Sequence, residues 1–128
     1  MAECPFCTIP KDRIIAAGKL AFVIEDGFPI SPGHTLIIPY RHVGSWFHVT
    51  PDERLEMLEL LDARKKDLDR DLKPNDYNIG INDGPAAGQT IPHLHMHLIP
   101  RFRGDVTDPR GGVRWLIPSK AAYWMGRE

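Results

Sequence analysis

Three histidines alternate with apolar residues in the segment His93–Ile99, whose sequence is HLHMHLI. Successive side chains on an extended strand point to opposite faces, so His93, His95 and His97 share one face. The apolar residues between them take the other face, where they can enter a core. An incidental surface strand explains this pattern poorly, because three of the chain's 6 histidines fall at period two. The spacing predicts a strand anchored on one side and chemically active on the other.

Two kinds of chemistry compete for the histidine face. Three imidazoles can hold a catalytic metal, but residues two apart on a strand are separated by roughly 6.5–7 Å, which puts the outer pair about 13 Å apart. That separation disfavours one shared ion. In the alternative, one imidazole is a nucleophile. With a pKa of about 6.5 it is largely neutral at pH 7, attacks phosphorus and forms a labile N–P bond that water then cleaves.

Length and charge restrict the partners of the chain. Its 128 residues suit one domain, and a net charge of −1 argues against a broad electrostatic grip on nucleic acid or an anionic membrane. No apolar run is long enough to span a bilayer. The segment before Cys4 is too short for the charged and apolar regions of a signal peptide. These features predict a cytoplasmic protein whose partner is neither nucleic acid nor a membrane.

Strand and helix signals alternate along the chain. The runs Lys19–Glu25 and Thr35–Ile38 are rich in β-branched and aromatic residues and predict two paired strands. A helix is expected to begin at Thr50, which supplies an N-cap before a proline and an acidic third position. It is expected to end before Pro74. Its leucines recur at helical intervals and predict an amphipathic helix that packs on the sheet through Leu55, Leu58, Leu61, Leu68 and Leu72.

The second half of the chain continues with strand signals and then loses them. Tyr77–Ile81 predicts a third strand and His93–Ile99 a fourth, which Pro100 ends. The last 28 residues or so are expected to form an irregular tail. Two aromatic residues in it, Trp115 and Trp124, suit packing, closure over a ligand or a dimer contact.

The residues around the histidines carry a family resemblance. Gly88–Pro92 (GQTIP) followed by the alternating histidines resembles the signature of the histidine-triad (HIT) superfamily. Pro32–Pro39 (PGHTLIIP) and Asn82–Thr90 (NDGPAAGQT) resemble two further segments of that family in the same order. The resemblance covers about residues 4–103. It implies an α+β fold: an antiparallel sheet of about five strands with one long amphipathic helix.

The resemblance also implies an organisation for the whole chain. Residues 1–128 would form a single HIT domain with its core at about 4–103 and a C-terminal tail at 104–128. Relatives in this family pair into homodimers that extend the sheet. A homodimer is therefore the expected state.

The family's roles carry over to the three histidines one by one. His95 matches the nucleophile that attacks the α-phosphate of a nucleotide and carries it as a nucleotidyl-imidazole. His97 matches the histidine that donates to the phosphate oxygens. His93 matches the residue that supports the site from the entry of the strand. A fourth histidine, His34, is expected to orient a neighbour or to fill a structural role.

Other matched positions would bind the nucleotide. Asp26 matches the acceptor of hydrogen bonds from the ribose hydroxyls, and it also suits an ordinary Asp-Gly turn. Ile24 and Leu36 match apolar positions around the purine and would serve equally well as core residues. The remaining phosphate-binding positions offer close backbone approach or neutral donors, in place of a basic clamp, at Asn82, Gly84, Gly88, Gln89 and Thr90.

A second site is implied by the cysteines. Zinc-bearing bacterial relatives join a Cys-x-x-Cys near the N-terminus to two histidines, which here correspond to Cys4, Cys7, His42 and His93. Two thiolates and two imidazoles make a closed four-coordinate site, which indicates structural zinc. Two reduced thiols without a metal are the alternative.

The expected activity is hydrolysis at the α-phosphate of a diadenosine polyphosphate with release of AMP. The fragile-histidine-triad branch, which the segment Asp83–Thr90 resembles, usually has Gln at position 82. The phosphoramidase branch has Asn there, as this chain does at Asn82. An adenosine phosphoramidase is thus the nearest alternative. A metallohydrolase and a non-catalytic nucleotide sensor are the rivals from other classes.

Overall fold

A five-stranded antiparallel sheet organises the chain, for which a computed structural model describes residues 4–125. The strands follow the spatial order β1-β2-β3-β5-β4, so β1 and β4 form the two edges. All four pairings are antiparallel. The elements are β1 Ile14–Ala17, β2 Ala21–Glu25, β3 Thr35–Pro39, α1 Pro51–Asp71, β4 Asp76–Ile81, β5 Met96–Arg101 and α2 Pro118–Ala121. The expected α+β class with about five strands and one long helix is confirmed.

Helix α1 begins as the sequence predicts. The Thr50 side chain accepts from the Glu53 amide, and the Glu53 carboxylate accepts from the Thr50 amide, which completes a capping box in front of Pro51. Met57 and Leu68 are buried against the sheet, with Leu60 and Leu61 packed beside them.

The buried stripe of α1 differs from the predicted one. Leu55, Leu58 and Leu72 are 59%, 44% and 40% exposed. The stripe instead follows Met57, Leu61 and Leu68, since positions four and seven apart stack on one helical face. The leucine spacing predicted the helix and the buried positions of Leu61 and Leu68 correctly, but it was wrong for Leu55, Leu58 and Leu72 and missed Met57.

The predicted strand of the three histidines starts later than expected. β5 runs over Met96–Arg101, so His93 and His95 precede it. A turn occupies the entry, where the His93 amide donates to the Ile91 carbonyl at 2.8 Å. Pro100 does not end the strand. Pairing of β5 with β3 stops at Leu98. Pro100 lies beyond that point, so its lack of an amide hydrogen removes no hydrogen bond to β3.

The sheet separates two apolar clusters. The cluster under α1 includes Leu94, Met96 and Leu98, which confirms that these residues take the face opposite the histidines. The cluster on the other face comprises Phe6, Phe22, Ile24, Leu36 and Ile38. The strand register continues that face across the sheet, since Ile24 pairs with Leu36, Leu36 with His97, and His97 with Gly80. We call this the site face.

Two parts of the chain depart from the expected organisation. β1 was not predicted, and the predicted start of β2 at Lys19 is instead part of the turn that joins these strands, where the Gly18 amide donates to the Ala21 carbonyl. The tail contains a 3-10 turn at Gly112–Leu116 and the short helix α2. Between residues 4 and 125, no helix has the length and apolarity that crossing a membrane requires.

Candidate active site and metal centre

His93 is fully buried where the chain enters β5, and its ring joins two segments. Its Nε2 lies 2.8 Å from the Pro39 carbonyl oxygen at the end of β3. Its Nδ1 lies 3.3 Å from the sulfur of Cys4 and 3.5 Å from that of Cys7. The Nδ1 of His42 in turn lies 3.2 Å from the Cys7 sulfur. The four predicted metal ligands therefore meet, with ligand atoms that all lie within 4.8 Å of one another.

The protonation of His93 suits a metal at this cluster. A carbonyl oxygen only accepts, so His93 must carry its proton on Nε2, which leaves the lone pair of Nδ1 directed at the two sulfurs. Ligands around tetrahedral zinc are separated by about 3.3–3.8 Å, close to the sulfur-to-nitrogen distances found here. Both cysteines are free thiols. The residues present therefore fit a four-coordinate metal.

His95 has the opposite tautomer. Its Nδ1 lies 2.9 Å from the His93 carbonyl oxygen, so Nδ1 must carry the proton. The neutral ring then has a free lone pair on Nε2. Its centroid lies 5.3 Å from that of His97. This arrangement provides an imidazole nitrogen that is able to attack an electrophile on the site face.

A chain of hydrogen bonds fixes the tautomer of His97. The Ile30 amide donates to Nδ1 of His34 at 3.2 Å, so neutral His34 carries its proton on Nε2. That Nε2 lies 2.9 Å from Nδ1 of His97 and donates to it. His97 must then carry its own proton on Nε2. It presents a donor where His95 presents a lone pair, so the two rings are chemically complementary.

A metal bound between the triad histidines does not fit this geometry. Within the described part of the chain, His93 clusters with the cysteines, whereas His97 clusters with Asp26 and His34. The second cluster is a poor metal site. For Nε2 of His34 to bind a metal, the proton would have to move to Nδ1, but Nδ1 already accepts a hydrogen bond from the Ile30 amide. The three histidines thus divide into different environments and do not converge on one ion.

Burial controls the charge of the histidines on the site face. It lowers the pKa of His97 to about 4, and the adjacent His95 and His34 act in the same direction, while Asp26 opposes them. Burial also lowers the pKa of His34 and of His93. All three rings are therefore neutral at pH 7, as their hydrogen bonds require.

The low pKa of His97 predicts a loss of stability in acid. An unfolded histidine titrates near pH 6.5, so between about pH 6.5 and pH 4 the unfolded chain binds more protons than the folded one. Stability therefore falls as the pH falls through that window. Between pH 7 and 4.5 the wild type should lose about 1–2 kcal/mol more unfolding free energy than His97→Asn, after allowance for partial exposure of the ring.

Urea titrations across the pH range measure this difference. The matched control is His48→Asn, which makes the same substitution at an exposed histidine. Parallel slopes for the wild type and His97→Asn would contradict the assignment of a neutral, buried His97.

The predicted ribose and purine positions differ in accessibility. Asp26 lies at the end of β2, half-buried, and its Oδ1 accepts from the Phe28 amide at 2.8 Å, so it does form a turn. Oδ2 lies 3.4 Å from Nε2 of His34 and retains capacity to accept. Ile24 is fully buried and Leu36 is 3% exposed. These two side chains are core residues in this conformation and present no surface to a ligand.

The loop before the histidines combines open backbone with engaged side chains. Gly84 and Gly88 have φ values of 96° and 94°, which favour glycine, and space is open where a side chain would lie. Gln89 has other partners than a substrate: its amide nitrogen donates to Gly44 and Ile91 carbonyls, and its oxygen accepts from Gly84. Over residues 4–125, no hydrogen bond engages the predicted donors Asn82 and Thr90.

Two features of the site lay beyond the sequence prediction. Gly80 of β4 lies beside His97, and a side chain there would meet nothing within 4 Å, so the site face is open in this direction. Phe6 is buried between the two cysteines and its ring contacts His95. In the sequence, the one indication of the contact between Phe6 and His95 is the aromatic residue between the two cysteines.

Comparison with known proteins places this arrangement in a family. The model of the HIT domain matches residues 8–104. The chain belongs to the HIT family. It is similar to the AP-4-A phosphorylase of Mycobacterium tuberculosis, with 32% identity over 107 residues that cover 79% of this chain and 55% of that protein. The Bis(5'-adenosyl)-triphosphatase of Saccharomyces cerevisiae is 32% identical over 117 residues, which cover 90% of this chain and 53% of that protein.

Solved HIT structures share the fold. A Zn-bound histidine triad family protein from Mycobacterium smegmatis superposes with a TM-score of 0.73 and 32% identity, covering 82% of this chain and 79% of that one. The HIT chain described here spans about half the length of the curated relatives it matches.

Proposed function

We propose that this HIT protein is a nucleotide hydrolase that cleaves diadenosine polyphosphates or similar AMP conjugates at the α-phosphate. The observation that carries the proposal is the pair of complementary tautomers, a lone pair on Nε2 of His95 beside a donor on Nε2 of His97. The names of two relatives, AP-4-A phosphorylase and Bis(5'-adenosyl)-triphosphatase, support the substrate class.

The proposed reaction has two displacements. Nε2 of His95 attacks the α-phosphorus, an N–P bond forms, and the bond to the bridging oxygen breaks, so that the remaining nucleoside polyphosphate leaves with the electron pair. Water then attacks the same phosphorus. The N–P bond breaks, AMP is released and His95 regains its lone pair, while the proton of water passes to solvent.

The surrounding residues of this HIT chain serve charge and orientation. The Nε2–H of His97 stabilises negative charge that develops on the phosphate oxygens, without bringing a formal charge into the site. Asn82 and Thr90 add neutral donors, and the open space at Gly88 lets the phosphate approach the backbone closely. Asp26 accepts from the ribose hydroxyls. His93 orients His95 through its carbonyl oxygen.

We propose that Cys4, Cys7, His42 and His93 hold structural zinc. The converging ligand atoms and the tautomer of His93 support it, as does the zinc in the Mycobacterium smegmatis relative. When bound, the ion would fix the His93 ring and join the N-terminal segment to the entry of β5. The two cysteines form no disulfide, and cysteines that stay reduced are typical of the cytoplasm, so we propose a cytoplasmic location.

The exposed edge of the sheet supports a homodimer as part of the proposal. β4 is an edge strand, and its Ile79 is 51% exposed. Leu58 on α1 is 44% exposed, so an apolar surface and unpaired backbone are both available for a second copy.

We propose that residues 1–128 act as a single HIT domain, with its core at 4–103 and its tail at 104–128.

The dimer predicts the effect of one charge. Ile79→Lys should raise the dimer dissociation constant about 100-fold or more, because each dimer through β4 would bury two unpaired ammonium groups in its interface. Sedimentation velocity over a concentration series measures this. Phe28→Lys adds the same charge to the exposed β2–β3 loop and should leave the wild-type constant unchanged. A monomeric wild type, or equal constants for both variants, would contradict a dimer through β4.

A panel of substrates tests the proposed activity. Initial rates of AMP release are compared for diadenosine triphosphate, diadenosine tetraphosphate and adenosine phosphoramidate. We expect a diadenosine polyphosphate to react fastest. Fastest turnover of the phosphoramidate would instead favour the alternative that Asn82 suggests. AMP binding without turnover of any compound would replace the enzyme by a nucleotide sensor.

A further inference from the structure

Phe6 lies between the two cysteines of the proposed metal site. A turn closes this segment, since the Cys7 amide donates to the Cys4 carbonyl at 3.1 Å. The Phe6 ring points inward from the turn and is only 8% exposed, in the apolar cluster of the site face. The position of this ring therefore depends on the conformation of the cysteine segment.

The same ring contacts two histidines of the triad. Its centroid lies 5.0 Å from that of His95 with an interplanar angle of 61°, and 5.9 Å from that of His93 with an angle of 88°. Both geometries are edge-to-face, an arrangement that is favourable for aromatic pairs. His93 is also held by the Pro39 carbonyl and by the sulfurs of Cys4 and Cys7. Among residues 4–125, His95 has one hydrogen bond, through Nδ1, and a ring contact with His97 at 5.3 Å. The hydrogen bond alone leaves the ring of His95 free to tilt.

We propose that Phe6 is a positioning residue that holds the imidazole of His95 in the orientation for attack. The inference rests on the proposed function and adds that the metal-binding segment acts on the nucleophile through this ring. Without the ring, His95 retains its tautomer but its Nε2 samples directions away from the phosphorus. Misplacement by about 1 Å is able to cost roughly 100-fold in rate, so kcat should fall while KM stays nearly constant.

Phe6→Leu is the test, and Phe22→Leu is its matched control. Phe22 lies in the same cluster and is 1% exposed, but its aromatic neighbour is Tyr40, at 4.9 Å, and not a histidine. Each substitution removes one buried ring and leaves a branched apolar side chain. Both variants should lose similar thermal stability and retain the zinc content of the wild type.

Kinetics with diadenosine triphosphate then distinguish the two variants. Phe6→Leu should lower kcat roughly 10- to 100-fold with KM changed less than about threefold, whereas Phe22→Leu should keep kcat within about threefold of the wild type. Equal losses of kcat in the two variants would reduce Phe6 to a structural residue. A raised KM with unchanged kcat would make its ring a substrate contact, and either result overturns the inference.

The Nδ1–H resonance of His95 gives a readout that needs no turnover. In the wild type and Phe22→Leu this proton should exchange slowly with solvent, because the ring is held against the His93 carbonyl. In Phe6→Leu we expect it to exchange at least about tenfold faster. Unchanged exchange would overturn the positioning role even if every substrate on the panel proved inert, so the inference and the proposed function fail separately.

Discussion

Replacing His95 with Asn is expected to lower kcat for AMP release by a factor of about 10⁴ or more. The substitution removes the Nε2 lone pair, while the Asn side chain still reaches toward the His93 carbonyl that held the imidazole. Nucleotide affinity should change little, since the ring contributes to bond formation more than to binding. Initial rates and equilibrium binding of AMP measure the two effects separately.

Metal content separates the covalent mechanism from its metallohydrolase rival. In the proposed mechanism, His95→Asn retains the zinc of the wild type, because the ligands are Cys4, Cys7, His42 and His93. His48→Asn is the control for an exposed histidine and should keep full activity. Loss of zinc in parallel with activity, or residual turnover above about one tenth, would count against His95 as the nucleophile.

His42→Ala is expected to lower the affinity for zinc by a factor of about 100 or more. His42 is exposed and its Nδ1 contacts the Cys7 sulfur, so its loss removes one of four ligands without opening a core cavity. The wild type should carry about one zinc per chain. Where free zinc exceeds the wild-type dissociation constant 1,000-fold, binding adds about 4 kcal/mol to the free energy of unfolding, and a 100-fold weaker site in the variant should lose about 2.7 kcal/mol of this contribution.

Metal analysis after gentle purification and thermal unfolding with and without a chelator measure both effects. His48→Ala is the matched control, because it removes an exposed histidine from the same segment between β3 and α1. It should keep the zinc and the melting temperature of the wild type. A metal-free wild type, or equal zinc content in the two variants, would contradict the proposed site.

Local patterns were sufficient for most of the secondary structure. Helix α1 has a capping box at its start, and β2, β3 and β4 have β-branched runs that turns end. The sequence patterns that predict these elements therefore lie within the elements themselves or directly beside them. β1 was missed because its sequence, IIAA, is short, and half of it is alanine. The entry to β5 was misassigned because hydrogen bonds of His93 and Leu94 with distant segments hold it out of the sheet.

The sequence likewise predicted only part of the functional site. Period two in the sequence predicted the shared environment of His95 and His97, and family resemblance supplied His42. The tautomer of His97 was beyond prediction, since it depends on the register that pairs Leu36 with His97 and thereby brings His34 alongside. Burial of Ile24 likewise follows from strand packing rather than from its own sequence context.

The stereochemical course at the α-phosphorus tests the covalent mechanism most directly. Hydrolysis of a diadenosine polyphosphate with a chiral α-thiophosphate in isotopically labelled water gives a product whose configuration records the number of displacements. Two in-line displacements, the first by His95 and the second by water, predict net retention. Net inversion would mean that water attacks directly, and would contradict a nucleotidyl-histidine intermediate.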